Sequence, residues 1–407
     1  MAVLWLTTGM DCGYIEEFAK HEEVYVFADF ISAFPDMEDL AFGRNIPNVY
    51  VLTDLPREVL SRIDKVITLE CYFGFIIELF KQLNIEVFGA GVEARLENNR
   101  LFQKQLMPKV PNYKIVNFDK LSYPAITKVD PVYRNSFEST MIRNQYELEF
   151  YKQKLIQTAG QFAKEIEYYQ EEILTDIEIE FGIDCICFGN GIEVPFTIGI
   201  EQSKNTYIAK IVKNKEEILM KPWAINLRAC DFILQQMKYV GFFSTEEIKV
   251  KEDPEPYMID ICMRLALPLG TAYLKFYSNV YQAIRNNVPL IPKAEYIYVI
   301  PISLPLADQT FVPITFKDEY VFEHFIALQT YYKPKNQKDL TFYAIKNYPT
   351  VGCIVLYSNS LVNYEELEKT IEEIEKTIEA PDLKIEYDTL RQNYENFQKM
   401  LEILELD

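Results

Sequence analysis

Five short apolar runs punctuate the first ninety residues, and their rhythm constrains the fold more than any other feature of the chain. They lie at residues 3–6, 24–27, 49–52, 66–69 and 85–88. Helical patterns separate several of them, as at residues 73–83. Strands of this length alternating with helices predict a parallel sheet with helices on both faces. The first turn, Thr7-Thr8-Gly9-Met10-Asp11-Cys12-Gly13, lacks the G-x-G-x-x-G spacing of a dinucleotide site. A nicotinamide oxidoreductase therefore has no glycine fingerprint to rest on.

From residue 110 to about 290 the pattern changes. Longer, antiparallel-looking strands are predicted at 125–129, 169–174, 177–188, 206–212, 243–250 and 257–262. A long polar helix at about 142–167 divides them, and a second runs from about 224 to 237. This is an α+β pattern. Beyond 290 come strands at 296–302, 341–345 and 351–357, then two acidic amphipathic helices. In the first of these, Leu367, Ile371, Ile374 and Ile378 mark one apolar face. The expected fold class is thus α/β plus α+β. Three domains are expected: a Rossmann-like parallel-sheet domain with its linking helix at 1–109, an α+β domain at 110–290, and a small mixed domain with a helical tail at 291–407.

Composition narrows the function. The chain has 407 residues and a formal charge of −20. Nucleic-acid backbones and anionic membranes require clustered Lys and Arg, so neither is expected as the main partner. A phosphate ligand needs only a few basic residues in a cleft. The seven cysteines show no paired zinc spacing, and no signal peptide is apparent, which points to reduced thiols in the cytoplasm. His21 and His324 are far apart, which makes a His-based zinc site or a Ser-His-Asp triad improbable. The apolar stretch at 288–306 carries Lys293, Glu295 and prolines and cannot span a bilayer as a helix.

Four segments carry candidate chemistry. After the strand at 85–88, Gly89 opens a helical stretch to Met107 in which Ala94, Leu96 and Leu101 are apolar. Glu97, Arg100 and Lys104 are three and four apart, on one face. Lys104 can reach from that face toward a phosphate as a point charge. Lys128 closes the apolar strand at 124–128, and Tyr133-Arg134-Asn135-Ser136-Phe137-Glu138-Ser139-Thr140 comes after it. Glu171-Glu172-Ile173-Leu174 precedes Glu178. Finally, segments 241–248 and 256–264 flank the turn Glu252-Asp253-Pro254-Glu255. Glu247 lies thirteen positions before Asp260, so a hairpin can bring them side by side. Two carboxylates that close repel unless a cation sits between them.

The ordered set resembles the ATP-grasp superfamily, in particular phosphoribosylamine–glycine ligase-like proteins of the phage and bacterial type, over residues 1 to about 300. Their linking helix reads roughly A-x-L-E-x-x-K-x-F-x-K-x-x-M. Arg100 stands at the first lysine and Lys104 at the second. The resemblance implies that Lys104, Lys128 and Arg134 neutralise the phosphates of ATP. It implies that Glu171, Glu172, Ile173 and Glu178 grip the nucleoside, with Glu178 on the ribose. Glu247 and Asp260 would hold Mg²⁺, and Arg264 would contact the transferred phosphate. Two departures stand out. The loop around Arg134 has Asn135 where glycine is usual, so either Arg134 binds phosphate through its bidentate fork or the loop no longer closes over a nucleotide. Cys262 replaces the usual Asn, and a soft thiol is a poor Mg²⁺ ligand.

The activity implied is ADP-forming ligation of a carboxylate to an amine, or to a thiol, through an acyl-phosphate. The rival expectation keeps the fold without catalysis, as a phage structural or binding protein. In either case the C-terminal helices could dock on a protein partner or form a homodimer. The setting would be cytoplasmic, in a host cell if the chain is phage-encoded.

Overall fold

The computed structural model describes residues 2–8, 12–28, 46–130, 139–202, 206–267, 269–327, 341–344, 346 and 349–406. The N-terminal sheet is all-parallel. It comprises β1 (Ala2–Thr7), β2 (Glu23–Ala28), β3 (Val49–Leu52), β4 (Ile63–Ile67) and β5 (Glu86–Phe88), in the order β3-β2-β1-β4-β5. Every residue of β1 is buried. Alternate side chains point to opposite faces of a strand. Val3 and Trp5 therefore join Tyr14, Ile15 and Phe18 of the helix Cys12–Ala19, whereas Leu4 and Leu6 join Ile77 and Phe80 of the helix Gly74–Gln82.

The linking segment is not one helix. A 3₁₀ turn (Val92–Ala94) leads into Arg95–Asn98, and a second helix runs Arg100–Leu106. Asn99 between them is extended, and its side chain accepts from Phe102 N at 2.8 Å, capping the second helix.

Next comes a four-stranded antiparallel sheet, β6 (Tyr113–Val116), β7 (Ala125–Lys128), β8 (Thr140–Ile142) and β9 (Tyr168–Glu171), in the order β6-β9-β7-β8. The helix Gln145–Ala159 covers it through Leu148, Tyr151 and Leu155. This helix starts three residues later than the periodicity predicts. Ile142 belongs to β8, and Asn144 accepts from Glu147 N as the cap.

The remaining strands are β10 (Ile177–Phe188), β11 (Phe196–Gln202), β12 (Thr206–Val212), β13 (Val240–Val250), β14 (Tyr257–Cys262), β15 (Tyr296–Ser303), β16 (Val312–Phe316), β17 (Phe325–Ala327), β18 (Thr341–Ala344), β19 (Thr350–Ser358) and β20 (Ile378–Glu379). Eight of them form one sheet, β14-β13-β10-β11-β12-β15-β19-β17. β18-β16-β20 make a small second one. Because β12 pairs with β15, the expected boundary at residue 290 falls inside the large sheet.

The two C-terminal helices bury their apolar faces within the chain. Leu367, Ile371 and Ile374 of the helix Tyr364–Glu375 enter the main core, while Ile378 belongs to β20. The helix Tyr387–Ile403 lies on β11 and β12 through Leu390, Tyr394, Phe397 and Met400. Asn393 donates to Ile200 O and Thr206 O at 3.3 and 3.2 Å, and Trp223 Nε1 donates to Leu404 O at 3.1 Å. No helix among the described residues is long and apolar enough to cross a membrane.

Candidate functional site

The polar face of the linking helices is buried, which is the reverse of an ordinary surface helix. Glu97, Arg100, Gln103 and Lys104 are all buried. Buried charges persist only where they are paired, and each of these has a partner on another element. Glu97 accepts from Met263 N at 2.6 Å and from Arg264 Nε at 2.8 Å, clamping the helix to the end of β14. Arg100 donates to Val129 O at 2.9 Å and to Asp260 Oδ1 at 3.3 Å. Gln103 reaches the same Asp260 oxygen at 3.3 Å.

Lys104 meets a second strand. Its Nζ contacts Glu171 Oε1, and Lys128 Nζ lies 3.1 Å from Glu171 Oε2. The three residues are 4%, 3% and 2% exposed for Lys104, Lys128 and Glu171. Lys128 Nζ also donates to Ile259 O at 3.0 Å, tying the four-stranded sheet to β14. Burial pushes the Lys104 ammonium below its ordinary pKa, against the opposing pull of Glu171. Burial also works against the charged form of Arg100, but the neighbouring Asp260 and Glu171 charges carry its pKa upward. For Asp260 burial acts upward, yet Arg100 and Lys128 hold the carboxyl below its ordinary value. Lys104 Nζ and Glu171 Oε1, though in contact, have no aligned hydrogen-bond partner. An ion pair without an aligned hydrogen bond leaves the lysine room for acceptors from a ligand.

The other nucleoside-gripping candidates are not drawn into this cluster. Glu172 is exposed and accepts from Asn112 N and Nδ2, both at 2.9 Å. Ile173 is half-buried in the turn before β10. Glu178 pairs with Lys249 at 2.9 Å. Arg134 and its loop lie outside the described residues.

The expected metal pair needs a correction. Glu247 and Asp260 are not neighbours across the β13–β14 ladder. Glu246 is the residue opposite Asp260, and beyond it a register shift sets Glu247 opposite Met258. Glu247 points the other way, into the core. Its carboxylate accepts from Asn226 Nδ2 at 3.1 Å, its other oxygen has no partner, and burial raises its pKa to about 8. Adjacent strand residues face opposite sides, so one step of register decides which glutamate meets Asp260.

Glu246 helps line a cavity of about 620 Å³ on the large sheet. Glu180 and Asp184 of β10, Glu201 of β11, Tyr207 of β12, and Cys262 and Arg264 also line it. Arg264 is held there by Glu97, whose charge lifts its pKa well above the ordinary value. Burial pushes the Cys262 thiol well up, so it stays protonated. Burial likewise raises Asp184, to about 7, although the hydrogen bond from Tyr207 opposes it. Sequence reading missed Glu180, Asp184, Glu201 and Glu246. A signal existed for part of this set, since Glu178, Glu180 and Asp184 share one parity along β10.

No protein-family model matches the chain, and no curated protein matches it in sequence. Solved structures do match. The chain is 15% identical to phosphoribosylamine–glycine ligase from Thermotoga maritima, over 95% of this chain and 100% of that one, with a TM-score of 0.62. It is 14% identical to N5-carboxyaminoimidazole ribonucleotide synthetase from the same organism, over 93% and 99%, with a TM-score of 0.59. It is 11% identical to the biotin carboxylase domain of 2-oxoglutarate carboxylase from Hydrogenobacter thermophilus, over 100% and 99%, with a TM-score of 0.64. That domain was solved with MgADP, ADP and bicarbonate. At these identities the likeness is one of fold, and it extends over nearly the whole chain.

Proposed function

We propose, from the premise that the chain has the ATP-grasp fold, that it is a cytoplasmic, ATP- and Mg²⁺-dependent ligase joining a small carboxylate to an amine and releasing ADP. The observation that carries this reading is the buried Lys104–Glu171–Lys128 cluster, closed against Arg100 and Asp260. A scaffold without a ligand has little reason to bury two lysines against a single carboxylate.

Lys104 and Lys128 would neutralise phosphate oxygens, moving off Glu171, whose carboxylate is then free to accept from an adenine amino group. Glu246 and Asp260 would hold Mg²⁺, since they are hard oxygen donors placed opposite one another. Cys262, a protonated thiol, would not join them. ATP supplies the activation energy as an acyl-phosphate of the substrate carboxylate. Arg264, fixed by Glu97 in the cavity wall, would meet that phosphate with a preset fork. The chain's task is then placement and charge neutralisation rather than proton transfer.

Two observations favour the rival reading, a non-catalytic binding protein. Both lysines are already matched by Glu171, and Cys262 replaces a hard ligand. ADP release separates the two readings. A magnesium-dependent ATP turnover screened over carboxylate and amine pairs, and lost in Lys128→Ala, supports the ligase. Binding of Mg-ATP without turnover on any pair supports the rival.

A further inference from the structure

The parallel N-terminal sheet offers a ligand position that the proposed chemistry does not use. In open parallel sheets ligands enter at the carboxyl ends of the strands, where the strand order reverses. With the order β3-β2-β1-β4-β5, that point lies between β1 and β4. Thr7 ends β1, and Thr8 follows it. Two hydroxyls and a backbone N–H from these residues converge there. Such a donor set suits an anion with several oxygens.

The chain's own carboxylate occupies it. Glu70, three residues beyond the end of β4, is 3% exposed. Its Oε1 accepts from Thr7 Oγ1 at 2.9 Å and from Thr8 N at 2.6 Å, and its Oε2 accepts from Thr8 Oγ1 at 2.5 Å. Thr68 Oγ1 meets both the N–H and the carbonyl of Glu70 at 3.3 Å, which holds the bend. Hydrogen bonds to a charged acceptor are stronger than neutral ones, so these donors are not given up to a weak ligand. A phosphoryl group arriving here would find the donors taken and a like charge at close range. Specificity can rest on such a repulsive contact.

The position adjoins the proposed reaction centre. Leu265 N donates to Leu69 O at 2.8 Å, and Asn98 Nδ2 donates to Cys71 O at 3.0 Å. The bend that carries Glu70 is thus tied to the residues next to Arg264 and Glu97.

We propose that Glu70 is a specificity-determining residue: it fills the anion cradle between β1 and β4, so the substrate taken at this end of the sheet carries no phosphoryl group there. The role in substrate choice rests on the ligase reading; the filling of the cradle does not. The test is thermal melting of the full chain with inorganic phosphate at constant ionic strength, without nucleotide. The wild-type response records phosphate held anywhere else, the lysine cluster included. Glu70→Ala should melt lower than the wild type, recover saturably with phosphate, and bind it about tenfold or more tightly than the wild type does. Adding Thr8→Val should remove that gain. A phosphate response in Glu70→Ala no larger than the wild type's, or one that survives Thr8→Val, overturns the proposal. Should Glu70→Ala not fold, Thr8→Val alone decides. Its phosphate response should equal the wild type's, and a wild-type response lost in Thr8→Val would show a cradle open to anions and overturn the proposal. Melting with Mg-ATP keeps the two readings apart. A Mg-ATP shift in the wild type beside failed phosphate results overturns the Glu70 proposal alone. Phosphate results as expected without any Mg-ATP shift overturn the ligase reading and leave Glu70 as the plug of an anion cradle.

Discussion

At the scale of single residues, two carboxyl groups make opposite demands on pH. Asp260, held below its ordinary value by Arg100 and Lys128, stays ionised through the neutral range. Glu247, raised to about 8, stays protonated there. Proton linkage fixes the sign of the second effect. Below about pH 4.5 both folded and unfolded chains carry this proton. Above it the unfolded state releases the proton and the folded state keeps it, so stability falls as pH rises until Glu247 ionises near 8. Asp184, raised to about 7, acts in the same direction over a narrower window. Each tenfold change in proton affinity is worth roughly 1.4 kcal/mol, so the loss attributable to Glu247 is on the order of a few kcal/mol. Urea denaturation without metal or nucleotide should show the wild type losing stability between about pH 5 and pH 8. Glu247→Gln should show a flatter profile, and equal slopes would refute the burial argument. At the same scale, Lys128→Ala should abolish ATP-dependent ADP release and also lower the melt, since it takes one partner from the buried Glu171. Unchanged turnover in that variant would remove Lys128 from the site.

At the scale of elements, the break at Asn99 is what turns Lys104 toward Glu171. A single continuous helix through residues 92–106 would not re-aim its second half, and the cap makes the break favourable. Asn99→Ala is expected to cost about 1 kcal/mol. It should also weaken Mg-ATP binding disproportionately, which parallel melting and nucleotide titration would detect. The terminal helix Tyr387–Ile403 works as a lid on the large sheet rather than an appendage. Phe397 is wholly buried, so Phe397→Ala should destabilise by about 3–5 kcal/mol in urea. A change within about ±0.5 kcal/mol, the range of ordinary surface substitutions, would mean that the helix does not pack as described. Much of this level was legible beforehand. Strands β10, β12 and β14 lie at the predicted residues because their β-branched, alternating runs have no competing helical period. β11 and the two helices between Leu269 and Asn286 were not anticipated. Their segments are short, and tertiary contacts rather than local periodicity hold them.

At the scale of the whole molecule, three sets of elements converge on one region. The linking helices, the four-stranded sheet and the β13–β14 hairpin each contribute charges that would be costly alone. If this convergence forms a nucleotide site, Mg-ATP at about 100 times its dissociation constant should add roughly 2.7 kcal/mol of stability, and the thermal melt should rise only when magnesium is present. A melt indifferent to Mg-ATP would mean that the cluster is purely structural.

The sequence by itself determined the parallel N-terminal sheet, the α+β character of the middle of the chain and the identity of most charged groups near the cluster. Those depend on short-range periodicity and on residue type, which need no distant partner to be read. Only the tertiary structure decided how the charges combine. Arg100 meets Asp260 across 160 positions of chain, and Glu171 bridges two lysines from different elements. The β13–β14 pairing stands one residue away from the register that places Glu247 beside Asp260, so Glu246 rather than Glu247 faces the cavity, and local pattern does not encode that choice. In a strand such a shift reverses every side chain, so the choice between neighbouring carboxylates belongs to strand pairing and not to sequence spacing.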